Sequence, residues 1–188
     1  MLGRRFDEAL VYAAHLHGGQ VRKGTAVPYL AHLLGVASIA LEAGADEDEA
    51  IAALLHDAVE DQGGSARQAD VEARFGARVA QIVADCSDSD REPRPPWKER
   101  KQAYLAALAG KGRSSLLVSL ADKTHNAQAI VTDLHSQGAS LWSRFTGGRE
   151  GTIWYYSSLS DAFERVLPGP GSQRLRRLVD EMRSLATA

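Results

Sequence analysis

The chain has 188 residues, of which 44% are hydrophobic and 24% charged, with a formal net charge of −2 and an isoelectric point near 6.3. That balance argues against the basic surface of a nucleic-acid-binding module but leaves room for a local basic pocket that takes a small anion. The single cysteine, Cys86, excludes an intramolecular disulfide and suits a reducing cytoplasm, and neither a membrane span nor a secretory signal is found.

Apolar residues at three- and four-residue spacing predict helices over 6–17, 32–43 and 47–61. Between the first two, "QVRKGTAVPY" allows at most one short β-ribbon near residues 20–29. Helices over 65–76 and 77–87 are divided by Gly76, a residue type common just past a helix end. "SDSDREPRPP" (87–96) reads as a charged, proline-rich loop, because each proline biases its neighbour away from helix. Helices resume over 97–110, 114–134 and 151–167, and Pro168-Gly169-Pro170-Gly171 stops the last of them. A basic amphipathic helix over 172–186 closes the chain, its apolar stripe packing on the body. The expected fold is all-α, a helical bundle forming one domain over 1–188.

The stretch "LLHDAVEDQGG" raises a chemical question. His56, Asp57, Glu60 and Asp61 follow an apolar helix and precede two glycines that end it. At the C-terminus of a continuous helix the three acids face the negative end of the macrodipole, and a bound cation answers that repulsion. The four groups share one face at this spacing. Two ligands on one helix do not close a site. His32 supplies a further imidazole, and Asp122 a carboxylate that ends the apolar run "SLLVSLA" and needs a partner if buried. Two imidazoles and two carboxylates suit manganese, iron or zinc better than calcium. The plainer alternatives are a helix-capping His32 and an Asp122 paired with Lys123 or an arginine.

Four blocks in order, "AAHLHGGQVRKGTAVPYLAH", "AALLHDAVED", "LADKTHN" and, more weakly, "GREGTIWYYSSL", resemble the HD-superfamily hydrolase domain of the RelA/SpoT proteins, closest in layout to free-standing small alarmone hydrolases. The resemblance implies that His32, His56, Asp57 and Asp122 hold one manganese ion, with iron, zinc, cobalt or magnesium as alternatives. It implies that Glu60 and Asp61 activate and orient the attacking water. Arg22 and Lys23 fall where the family's basic pair approaches the nucleotide, and Asn126 where its asparagine lines the pocket. Thr152 and Tyr156 match a later helix bordering the ligand, and Lys98 the basic residues that follow the proline loop. Leu33 stands where the family usually has proline after its first metal histidine. The chain ends before any synthetase domain would begin, so hydrolysis without synthesis is expected.

The implied substrate is (p)ppGpp, losing its 3′-pyrophosphate in the cytoplasm. The alternatives are an HD phosphohydrolase of (p)ppApp, NADPH or a nucleotide monophosphate, and a non-catalytic nucleotide sensor, against which the intact Glu60-Asp61 pair counts. No nucleic acid or membrane partner is expected, and oligomeric state is open. Elsewhere, Arg100 and Lys101 read as a solvated face, Trp154, Tyr155 and Tyr156 as core more than base platform, and Cys86 as packing. His17 reads as a support for the turn into the Arg22 loop and His125 as structural, while His15 and His135 carry no signal.

Overall fold

The computed structural model describes residues 1–87 and 95–187, so most of the predicted loop over 87–96 lies outside the described residues. The helices are α1 (Arg4–Leu16), α2 (Leu30–Glu42), α3 (Glu47–Leu55), α4 (Ala58–Gln62), α5 (Gly64–Phe75) and α6 (Ala77–Cys86), then α7 (Trp97–Ala107), α8 (Arg113–Gln137), α9 (Gly148–Val166) and α10 (Pro170–Thr187). Short 3-10 turns run over Leu108–Gly110 and Gly138–Arg144. Among the described residues no strand forms. The expected ribbon is a single bridge between Val21 and Pro28, with the Arg22 amide donating to the Val27 carbonyl at 2.8 Å. Among the described residues no helix is long and apolar enough to cross a membrane.

Local chemistry explains the helix ends. Asp46 caps α3 by accepting from the Glu49 amide at 3.0 Å, while the Glu49 carboxylate accepts from the Asp46 amide at 2.9 Å. Gly76, at φ +91°, sits between α5 and α6 where a side chain would be strained. Pro170 opens α10, a first-turn position that needs no amide proton.

The predicted helix over 47–61 is two helices, and the break falls at His56-Asp57. In a continuous helix the Ala53 carbonyl would accept from the Asp57 amide. Here it accepts from His56 Nδ1 at 2.9 Å, which takes that place in the ladder. The break also corrects the electrostatic expectation. Glu60 and Asp61 stand in the first turn of α4, at a positive helix end rather than a negative one.

Apolar packing forms two clusters. One gathers Leu33, Val36, Ile51, Leu54, Val79 and Val83 from α2, α3 and α6. The other gathers Leu108, Leu141, Leu159, Phe163, Leu175 and Met182 from the second half of the chain. The long α8 joins them: Val118 and Ala121 face the first, and Leu116, Leu120, Ile130 and Leu134 face the second. Asp122 therefore stands at the seam. Phe163 is fully buried in the second cluster, and Phe163→Ala lowers unfolding free energy by about 3–5 kcal/mol, read as a reduced midpoint in urea.

Candidate metal centre and nucleotide cavity

His32 stands in the first turn of α2, His56 and Asp57 at the break between α3 and α4, and Asp122 midway along α8. Both imidazoles are 1% exposed and Asp122 is 5% exposed. Their ligand-type atoms converge. His32 Nε2 lies 3.2 Å from His56 Nε2. Asp57 Oδ2 is 3.5 Å from His32 Nε2 and 3.0 Å from His56 Nε2. Asp122 Oδ1 is 3.3 Å and 3.6 Å from the same two nitrogens.

The surrounding hydrogen bonds fix which atoms point inward. His56 Nδ1–H donates to the Ala53 carbonyl, which turns Nε2 toward the cluster. His32 Nδ1 lies 2.9 Å from His125 Nδ1. Burial, the His32 ring and Arg22 push His125 down to about 4, so at neutral pH it is an uncharged ring braced against His32. Tyr29 donates to Asp57 Oδ2 at 2.5 Å. Lys123 donates to Asp122 Oδ2 and Asn126 to Asp122 Oδ1, each at 2.5 Å.

The charges are those of a cation site. Burial opposes ionising Asp57, yet His56 and His32 hold its carboxyl well below the usual range. Burial likewise opposes Asp122, and Lys123 with the two imidazoles holds it low. Burial would push His56 down, but Asp57 and Asp122 hold its imidazole well above its ordinary value. A proton on His56 thus stands in for a metal's charge. The His32, His56 and Asp57 donors, 3.0–3.5 Å apart, leave room for a first-row divalent ion or magnesium, whose bonds to such ligands are roughly 2.0–2.3 Å long. His32, His56 and Asp57 alone bring their donor atoms within 4.8 Å of one another. The residues fit a divalent metal.

Beside this cluster opens a cavity of about 520 Å³, lined by His32 and His125 together with Arg22, Lys23, Asn126 and Tyr156. Arg22 donates to Asn126 Oδ1 at 2.9 Å, which links the basic loop to Asp122 through one amide. Glu60 and Asp61 are exposed on α4. Asp61 accepts from Gln20 at 2.8 Å, and its carboxyl is raised by burial and by Asp57 against that bond.

Thr152 is buried on α9 one turn before Tyr156 and does not line the cavity. Lys98 is also away from it, with Nζ 5.8 Å from the centroid of the Trp154 ring. Tyr155 and Tyr156 are buried, and Trp154 is partly so. His17 Nδ1 lies 2.6 Å from Gln20 Oε1 and its ring stacks on Tyr29, which holds the turn into the basic loop. Cys86 is buried with its sulfur 3.6 Å from Ser119 Oγ.

Sequence reasoning gave no site role to Tyr29, Gln20 or Arg144, read His125 as structural, and offered Lys123 only as the plainer partner of Asp122. His125 is three positions after Asp122, and Tyr29 three before His32, spacings that put each on a ligand's helical face. Gln20 stands inside the quoted "HGGQ", and Lys123 follows Asp122 directly. Arg144, which also lines the cavity, belongs to no motif.

A family model described as "HD domain" matches residues 9–153. The chain is 37% identical over 139 residues to the guanosine-3′,5′-bis(diphosphate) 3′-pyrophosphohydrolase MESH1 of Mus musculus, covering 72% of this chain and 73% of that one. It is 34% identical over 131 residues to the bifunctional (p)ppGpp synthase/hydrolase SpoT of Escherichia coli, spanning 68% of this chain and only 18% of the length of that relative. A solved structure described as a metazoan ortholog of SpoT that hydrolyzes ppGpp superposes with a TM-score of 0.80 at 29% identity, covering 98% of both chains.

Proposed function

The chain belongs to the HD domain family, and on that premise we propose that residues 1–188 act as one phosphohydrolase domain that removes the 3′-pyrophosphate of guanosine 3′,5′-bis(diphosphate) and its pentaphosphate. The observation that carries the reading is the convergence of two imidazoles and two carboxylates beside a cavity lined with Arg22 and Lys23. Manganese is the ion assigned to His32, His56, Asp57 and Asp122, and the mixed nitrogen and oxygen set supports it. Cys86, single and buried, suits the cytoplasm as its compartment.

When bound, the ion acidifies water and takes up charge on the phosphoryl oxygens. The remaining work falls to the chain. Glu60 takes the proton of the attacking water, and Asp61, anchored by Gln20, orients that water. Arg22 and Lys23 bind phosphoryl oxygens, with Arg22 held by Asn126. His125 and Tyr29 keep His32 and Asp57 from turning away. Tyr156 borders the nucleoside.

The test is incubation of the purified protein with Mn²⁺ and each of ppGpp, ppApp, NADPH and AMP, with products separated by ion exchange. Pyrophosphate from ppGpp, at a higher kcat/KM than any other substrate gives, is expected. Turnover of NADPH or AMP alone would reassign the substrate, and no turnover of any of the four would leave a sensor.

A further inference from the structure

We propose that Arg144 binds the 5′-phosphoryl groups of the substrate, at the end of the cavity far from the metal donors, and that Asp133 holds its guanidinium in place until they arrive. This rests on the reading of the cavity as a nucleotide site.

One face of α8 carries Asp122 at the metal cluster and then Asn126, Ala129 and Asp133 along the cavity. At 1.5 Å per residue the helix advances roughly 16 Å between Asp122 and Asp133. That length exceeds a nucleoside and leaves room for phosphoryl groups on both sides of the sugar. Arg144 ends the 3-10 turn Gly138–Arg144, which folds back over this far end. Its side chain is only 19% exposed. NH1 donates to Asp133 Oδ2 at 2.9 Å, and NH2 donates to the uncharged Gln137 side chain.

Gly24 shows how closely the basic loop approaches Arg144. It has φ +73°, and a Cβ there would lie 2.8 Å from Arg144 Cδ and 2.9 Å from Nε. The positive φ is what favours glycine, and the short approach shows that the Arg22-Lys23-Gly24 backbone and the arginine stem form one wall. Among the described residues that line the cavity, the cations are Arg22, Lys23 and Arg144, and the only acid is Asp133. A guanidinium has five donors, of which Asp133 and Gln137 engage a part. A phosphoryl group carries more charge than a carboxylate and fits the same fork, so it competes well for the rest.

Pyrophosphate release in Mn²⁺ from guanosine 3′-diphosphate bearing either a 5′-diphosphate or a 5′-hydroxyl tests the assignment. The unmodified protein should prefer the 5′-diphosphate in kcat/KM. Arg144→Ala should shrink that preference at least tenfold, through KM. Arg144→Lys should restore part of it, and Asp133→Asn, which removes the competing carboxylate, should enlarge it. An ion pair that merely held the turn would leave the ratio unmoved. An unchanged ratio in Arg144→Ala, no recovery of it in Arg144→Lys over Arg144→Ala, or a smaller one in Asp133→Asn, overturns the assignment of Arg144 while leaving the hydrolase reading intact. Failure of the unmodified protein to release pyrophosphate from either compound overturns both.

Discussion

Replacing His56 with alanine should lower pyrophosphate release from guanosine 3′,5′-bis(diphosphate) at least about a thousandfold, while the helical fold persists. His56 Nε2 lies within 3.0–3.6 Å of a donor atom on each of His32, Asp57 and Asp122. It is thus one of the two nitrogens that both carboxylates share. Lewis-acid stabilisation of a phosphoryl transition state is worth several kcal/mol. At about 1.4 kcal/mol per tenfold in rate, losing most of it gives the expected factor. The variant also loses the group that carries a proton when no ion is bound, so Asp57 and Asp122 face each other with less compensation. Lys123 still pairs with Asp122 and Tyr29 with Asp57, which confines the damage to about 1–3 kcal/mol of stability. Calorimetric titration with Mn²⁺ should show weakened binding, and circular dichroism should show retained helix. Full turnover by His56→Ala with manganese in excess would remove the centre from the reaction.

Much of the fold was legible because its helices announce themselves by apolar spacing and by glycine or proline at their ends. The α5–α6 boundary at Gly76 and the stop before Pro170 are of that kind. The break at His56-Asp57 was not legible. Apolar periodicity runs straight through it, and the cause is one side chain, His56, bonding to the carbonyl of Ala53. The turn Gly138–Arg144 was missed for a related reason, since a 3-10 segment that short has no periodicity to read.

The candidate site divides along a similar line. His32, His56, Asp57 and Asp122 could be proposed together because metal chemistry restricts residue type as well as spacing. Their supports obey weaker rules. His125 meets His32 across a helix-to-helix contact. Tyr29 reaches Asp57 over a separation of 28 residues, and Gln20 reaches Asp61 over 41. Such partners depend on how α2, α4 and α8 dock, which a one-dimensional pattern does not encode.

Glu60→Gln should separate proton transfer from metal binding. Glu60 is exposed in the first turn of α4, while His32, His56 and Asp122 are buried. A positioned general base contributes about 10²–10⁴ in rate, and glutamine keeps the shape of glutamate without its basicity. The expected result is a fall in kcat of that size, with manganese affinity in calorimetry unchanged within a few-fold. Asp61→Asn should cost less in kcat, because asparagine keeps an acceptor for the Gln20 amide and loses only the charge that orients water. The reverse order would make Asp61 the base. That outcome has a physical route, since burial and Asp57 raise the Asp61 carboxyl and so make it a stronger proton acceptor than an ordinary aspartate. Position argues for Glu60 all the same. Asp61 is already tethered to Gln20, which Gln62 and His17 hold in turn. A carboxylate tethered through a braced Gln20 is better placed to aim the water than to deprotonate it.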